Sequence, residues 1–179
     1  MSNVILISGP SGSGKTALSE YIGETSHFTV VSEDKFWGEL KANNPGDGGR
    51  SLEEEVIIQN QVATKVGQLL EEGNNVVLEF ILYCDPPRPL LAYQEALQNK
   101  AANLATVLLK PSIDVILERK RIRGRVNEQN AESETAIGVS QLGCLDSPYI
   151  HKEWIVNNDS ISVSETYEML ARDYKHIFE

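Results

Sequence analysis

The residues Gly9-Pro10-Ser11-Gly12-Ser13-Gly14-Lys15-Thr16 hold the densest chemistry in this chain. They complete the spacing Gly-x-x-x-x-Gly-Lys-Thr directly after the apolar run Val4-Ile5-Leu6-Ile7, which gives the spacing its context of strand, turn and helix start. The glycines let successive backbone N–H groups curl around phosphate oxygens with no Cβ in the way. A helix opening near Lys15 adds its positive end at the same point. Lys15 has the reach for β- and γ-phosphates, and the Thr16 hydroxyl suits Mg²⁺. The expected ligand is a nucleoside triphosphate, with ATP and Mg²⁺ as cofactors and Gly9 to Thr16 as the nucleotide-binding set.

Two carboxylates belong with that loop. Asp34 follows the apolar, β-branched run Phe28-Thr29-Val30-Val31-Ser32 by two residues. A carboxylate there can orient or deprotonate an acceptor hydroxyl, or hold Mg²⁺ through water; the alternative is a solvated loop acid or the cap of a short helix over Lys35 to Leu40. Glu33 is its nearest rival. Glu79 interrupts the apolar run Val76-Val77-Leu78, where an unpaired carboxylate would be costly. It reads as a magnesium ligand through water, a partner of loop backbone, or a polar contact for the acceptor.

The cations cluster in Arg119-Lys120-Arg121-Ile122-Arg123-Gly124-Arg125. Guanidinium forks match phosphate oxygens, and an arginine delivered on closure offsets charge on a transferring phosphoryl group. Helical spacing puts Arg121 and Arg125 on one face and points Arg123 elsewhere, so these two are expected at the phosphates, with Lys120 on the surface. The alternative is a solvated basic patch paired with acids such as Glu118 and Glu128. Phe36 and Trp37 either stack on an acceptor ring or belong to the core. Arg50 is positioned to meet an anionic acceptor.

These residues need a frame. The spacing predicts strands over roughly 3–8, 28–32, 75–80 and 104–109, with a weaker fifth at 159–163. Helices are expected from Lys15 to Gly23, from Ser51 to Glu72, over 90–100, from Ser112 toward Gly124, from Ser147 through Trp154, and from Ser164 to Phe178. Val56, Ala63, Val66 and Leu70 approximate an inward stripe on the long second helix. Residues 43–50 read as an exposed loop, and 126–144 as polar and without clear period. Alternation of strand and helix implies a mostly parallel sheet covered on both faces. Ligands bind beyond the carboxyl ends of such strands, where the Gly-rich loop, Asp34 and Glu79 all fall.

Length and charge narrow the class. A chain of 179 residues fits one domain, and its net charge of −10 argues against wrapping a long nucleic acid. No run approaches the eighteen or so apolar residues of a membrane span, and two cysteines make no disulfide framework. The expectation is a cytoplasmic protein; oligomeric state is not readable.

With these residues in view, the chain resembles the P-loop small-molecule kinases: the adenylate, shikimate and gluconate kinases, the chloramphenicol phosphotransferases and the zeta-toxin-like kinases. The likeness rests on Gly9 to Thr16, on Asp34 after the second strand, and on Arg121-Ile122-Arg123-Gly124-Arg125, which is similar to the Arg-x-x-Gly-Arg start of the adenylate-kinase lid. It implies a three-layer P-loop NTPase sandwich with a five-stranded sheet and a basic lid at 119–144. It also implies an acceptor-binding region at 36–72, an acceptor-activating Asp34, Arg121 near the adenine and Arg125 near the phosphates. The third strand lacks the Asp-Gly-x-Pro-Arg sequence of nucleoside monophosphate kinases, and no Asn-Lys-x-Asp motif for guanine appears. The expected activity is transfer of the γ-phosphoryl group of ATP to a hydroxyl of a small molecule. A nucleotide-hydrolysing switch and a polynucleotide 5′-hydroxyl kinase are the alternatives.

Overall fold

A computed structural model describes residues 2–43, 51–125, 128 and 130–178. Arg50 and the expected loop at 44–50 lie outside the described residues. Five strands form one sheet: β1 Asn3–Ser8, β2 Thr29–Ser32, β3 Val76–Glu79, β4 Asn103–Leu109 and β5 Ile155–Val156. They lie in the order β2-β3-β1-β4-β5, and every pairing is parallel. The chain is thus the three-layer α/β sandwich that its alternating pattern implies.

β1 sits at the centre because both its faces are apolar. Val4 and Leu6 enter one core with Val76 and Leu78, while Ile5 and Ile7 enter the other with Val77 and Val107. On the first face lie α3 (Leu52–Glu71) and α4 (Arg88–Leu97), together with Trp37 of α2 (Glu33–Asn43). On the second lie α1 (Lys15–Ser26), α7 (Val163–Asp173) and α8 (Lys175–Phe178), contributing Leu18, Ile22, Leu170 and Ile177. Two further helices, α5 (Ile113–Arg123) and α6 (Ala131–Gly143), pack on each other beside the Gly-rich loop.

Several expectations give way here. The fifth strand is Ile155–Val156, tied to the chain after β4 by the Lys110 N–H donating to the Val156 carbonyl, and not 159–163. The β-branched residues at 161 and 163 flank a helix start: Ser162 caps the Glu165 N–H, and the Glu165 carboxylate returns to the Ser162 N–H. No helix runs from 147 to 154. The Ser147 hydroxyl donates to Asp85 instead of capping, and only a 3-10 turn, Lys152–Trp154, follows. The polar stretch before Cys144 is α6, whose buried face is Glu134, Gly138 and Gln141. On α3, Val56 is exposed and the inward stripe is Ile58, Val62, Val66, Leu69 and Leu70. The first turns of that face are polar, because Glu55 turns inward to meet Arg88 and Gln59 donates to Glu55.

Candidate active site

The loop between β1 and α1 is pinned by backbone geometry. Gly9 has φ of 143°, and a Cβ there would lie 2.5 Å from the Leu109 carbonyl oxygen at the end of β4. Only glycine fits that approach. Beyond it a cavity of about 370 Å³ opens at the carboxyl ends of β1, β2 and β3. Lys15, Thr16, Asp34, Glu79, Arg123 and Arg125 all contribute to its walls, with Phe80 and Ile81 as the apolar side.

Each side chain arrives through its element. Lys15 opens α1, and its Nζ folds onto the loop, donating to the carbonyls of Pro10 at 2.8 Å and Gly9 at 3.1 Å. Burial pulls its pKa down to about 8, against the opposing pull of Glu79 and Asp34. Thr16 and Asp34 are solvent-exposed on the cavity wall, Asp34 from the first turn of α2. Glu79 ends β3 opposite Ser32 of β2 and is buried; among the described residues its Oε2 has no hydrogen-bond partner. Arg123 reaches the cavity from α5 while its guanidinium pairs with Glu128.

Not every expected residue joins them. Arg121 points out into solvent and forms an i,i+3 pair with Glu118 at 2.7 Å, away from the cavity. Trp37 is buried in the core on the α3 face and Phe36 packs against the same core; neither lines the cavity. Lys120, expected at the surface, is buried and paired with Glu134 at 2.6 Å. The phase of α5 explains where Lys120 and Arg121 lie. Ile116 is its buried apolar residue, so Lys120, four positions on, is buried and Arg119, three on, is half-buried. Arg123, seven on and expected to point elsewhere, is exposed yet lies on the cavity wall. Arg121 and Ile122 then face outward.

That same phase picks out Arg119, to which the sequence alone assigns no separate role. Its Nη1 donates to the Ser13 carbonyl at 2.9 Å and its Nη2 to the Asn158 carbonyl at 2.7 Å. Burial holds its pKa below the ordinary arginine value. Asn158 Nδ2 donates to the same Ser13 carbonyl at 2.8 Å. Together these two residues wall a second cavity of about 170 Å³ beside Gly14, closed by Ala17, Leu109 and Ile161.

A polar network stands behind Asp34. Glu33 is buried and accepts from the Tyr93 hydroxyl at 2.6 Å. Glu55 takes a two-point bond from Arg88, at 3.0 Å on each oxygen, and another from Gln59. Burial pushes the Glu55 pKa up, but hydrogen bonds from Arg88, Tyr83 and Gln59 outweigh it and hold the group low. Burial and Glu55 together push the Tyr83 hydroxyl well up, so it stays a donor.

A Gly-rich loop at the end of a central strand, with carboxylates on the neighbouring strand ends and arginines opposite, defines a P-loop NTPase of the kinase-like kind. The chain belongs to the family of the AAA domain, whose model matches residues 4–142. Guanylate kinase of Helicobacter pylori is 23% identical over 195 aligned residues, covering 97% of this chain and 88% of that protein. Among solved structures, a sugar kinase from Janibacter superposes with a TM-score of 0.69 at 16% identity, over 96% of this chain and 94% of that one. The tunicamycin resistance protein of Deinococcus radiodurans gives 0.69 at 15%, over 97% and 96%. A gluconokinase from Sinorhizobium meliloti gives 0.63 at 18%, over 99% and 95%. At these identities the likeness to the solved structures is one of fold.

Proposed function

We propose that this protein is an ATP-dependent phosphotransferase that moves the γ-phosphoryl group to a hydroxyl of a small molecule. The observation that carries the reading is the convergence of Lys15, Thr16, Asp34, Glu79, Arg123 and Arg125 on one cavity. The loop amides and Lys15 hold the β- and γ-phosphates. The second cavity, between Arg119 and Ile161, takes the base, and the buried Asn158 Oδ1, without a partner among the described residues, suits an exocyclic amine.

The site's donors also fit a magnesium ion. Glu79 presents a buried carboxylate oxygen without a partner among the described residues, on the wall that carries the Thr16 hydroxyl. Among the described residues no three His, Cys, Asp or Glu side chains cluster to hold a metal by themselves, which matches an ion that arrives with the triphosphate. Thr16 would bind it directly and Glu79 through water. Such an ion would supply neutralisation of charge on the β- and γ-phosphates.

Asp34 accepts the hydrogen bond of the acceptor hydroxyl and takes its proton as that oxygen bonds to the γ-phosphorus, while the bond from the γ-phosphorus to the β–γ bridging oxygen breaks and ADP leaves. Arg123 and Arg125 balance the charge on the transferring group. Arg121, assigned to the phosphates from sequence, has no part in this reading. The acceptor enters along Phe80 and Ile81. Because guanylate kinase is among the relatives and sugar kinases share the fold, nucleoside monophosphates and sugars both belong among the acceptors to be tried.

The test is transfer of label from γ-labelled ATP with Mg²⁺ to pooled sugars, nucleosides, nucleoside monophosphates and antibiotics, comparing wild type with Asp34→Asn. We expect one labelled product and a loss of about 10²–10⁴-fold in the variant, with ATP affinity retained. Transfer at the wild-type rate by Asp34→Asn would remove Asp34 from this role. Label appearing only as free phosphate, whatever the acceptor, would favour the hydrolysing switch.

A further inference from the structure

The outer side of the phosphate loop is gripped by segments remote in sequence. The Ser11 N–H donates to Gln141 Oε1 of α6 at 2.8 Å. Gly12 lies so near α5 that a Cβ there would come within 3.2 Å of the Ile116 carbonyl oxygen and of Lys120 Cγ. The Ser13 carbonyl is held by Arg119 and Asn158. Helices α5 and α6 are themselves locked together. Lys120 and Glu134 form a buried ion pair, and Gly138 abuts Ile113 so closely that a Cβ would lie 2.6 Å from its Cδ1. Gln141 is buried at the loop end of this α6 face, two helical turns from Glu134.

We propose that Gln141 is a positioning residue for the phosphate loop: from α6 it fixes the Ser11 amide, and so couples the seating of the α5–α6 pair to the curvature of the anion-binding backbone. A backbone N–H that loses its acceptor in a half-buried setting must find another or open to water. A loop that opens at Ser11 no longer aims its following amides at one point. The long polar side chain on α6 therefore does what no residue near the loop in sequence does. Its effect on nucleotide affinity rests on the phosphotransferase reading above; its effect on the loop does not.

The experiment uses the full chain as wild type, Gln141→Met and Gln141→Glu. Methionine keeps the length and loses the strong acceptor; glutamate keeps the acceptor. Amide hydrogen exchange without nucleotide comes first. We expect the Ser11 amide to exchange about tenfold faster in Gln141→Met, as loss of one hydrogen bond implies, with β1 and β4 unchanged and with protection kept in Gln141→Glu. Equal Ser11 protection in Gln141→Met and wild type overturns the proposal, and so does a uniform rise across the sheet, which marks a general packing role. Titration with Mg-ATP and with adenosine follows. Gln141→Met should weaken ATP about tenfold, the same bond's worth, and leave adenosine unaltered; equal weakening of both overturns the coupling to phosphate. If wild type binds no ATP while the exchange pattern holds, the phosphotransferase reading fails and the loop-positioning role stands.

Discussion

At the scale of single residues, Lys15 has two pH dependences of defined sign. Its folded pKa is about 8, below the ordinary 10.5, because burial disfavours the ammonium. Between those values the unfolded chain binds more protons, so the stability contribution of Lys15 rises with pH across that window. Below about 8 the cost of the buried charge is fully present. The stability of Lys15→Met relative to wild type should therefore fall by an amount of the order of 3 kcal/mol from pH 7 to pH 10.5, as urea titrations at each pH would read. Triphosphate affinity runs the other way. On the proposed reading, above pH 8 the free protein loses the charge that would meet the phosphates, so the Kd for ATP should climb by up to about tenfold per pH unit, with no such inflection in Lys15→Met. A Kd flat to pH 9.5 in wild type would remove Lys15 from the phosphates. Arginine roles divide as cleanly. Arg121→Ala removes an exposed pair with Glu118, of a kind worth about 0–1 kcal/mol, and should leave steady-state kinetics unchanged. Arg125→Ala lies on the cavity wall and should lower kcat for transfer by 10-fold or more, on the order of a single charged hydrogen bond or above.

At the scale of elements, the helix pair α5–α6 turns on one buried ion pair. Lys120 and Glu134 are both shielded from water, so removing one partner strands a charge. Lys120→Met should cost about 3–5 kcal/mol in chemical denaturation, and Lys120→Met combined with Glu134→Leu should recover most of it. A double variant as unstable as the single would mean that the pair's contribution is packing and not charge. This pair also explains what the sequence could and could not tell. The Gly-rich loop, the first four strands of the parallel sheet and the capped start of α5 at Ser112 were legible, because each follows from a local rule: a motif after a strand, an apolar run, a hydroxyl before a helix. Helix α6 was not, since its buried face is Glu134, Gly138 and Gln141 and carries no hydrophobic period. β5 was missed because two residues pairing at the end of β4 leave almost no pattern, while Ile161 and Val163 look like a strand until the Ser162–Glu165 capping box is noticed. The nearness of Asp34 and Glu79 to the Gly-rich loop was legible from their places at strand ends. Arg119 was not, because choosing among five cations needs the helix phase set by Ile116.

At the scale of the molecule, the central strand joins everything. β1 feeds both cores and ends in the phosphate loop, so a ligand held by the loop is fastened to both faces of the sheet at once. The loop is further tied to α5 through Ser13 and Arg119, and to the chain after β5 through Asn158. Neither face can then unfold and leave the site intact, and the chain should unfold as one cooperative unit. Free Mg-ATP at a hundredfold excess over its Kd adds about 2.7 kcal/mol to that unit. For a domain of this length that is a rise in Tm of roughly 5–11 °C. Scanning calorimetry should show a single transition that moves as a whole, with inorganic phosphate moving it far less than Mg-ATP. Two transitions, of which only one shifts with nucleotide, would mean that one core folds without the strand they share. β1 supplies alternate side chains to both cores from the middle of the order β2-β3-β1-β4-β5, and a single transition is what that shared strand requires.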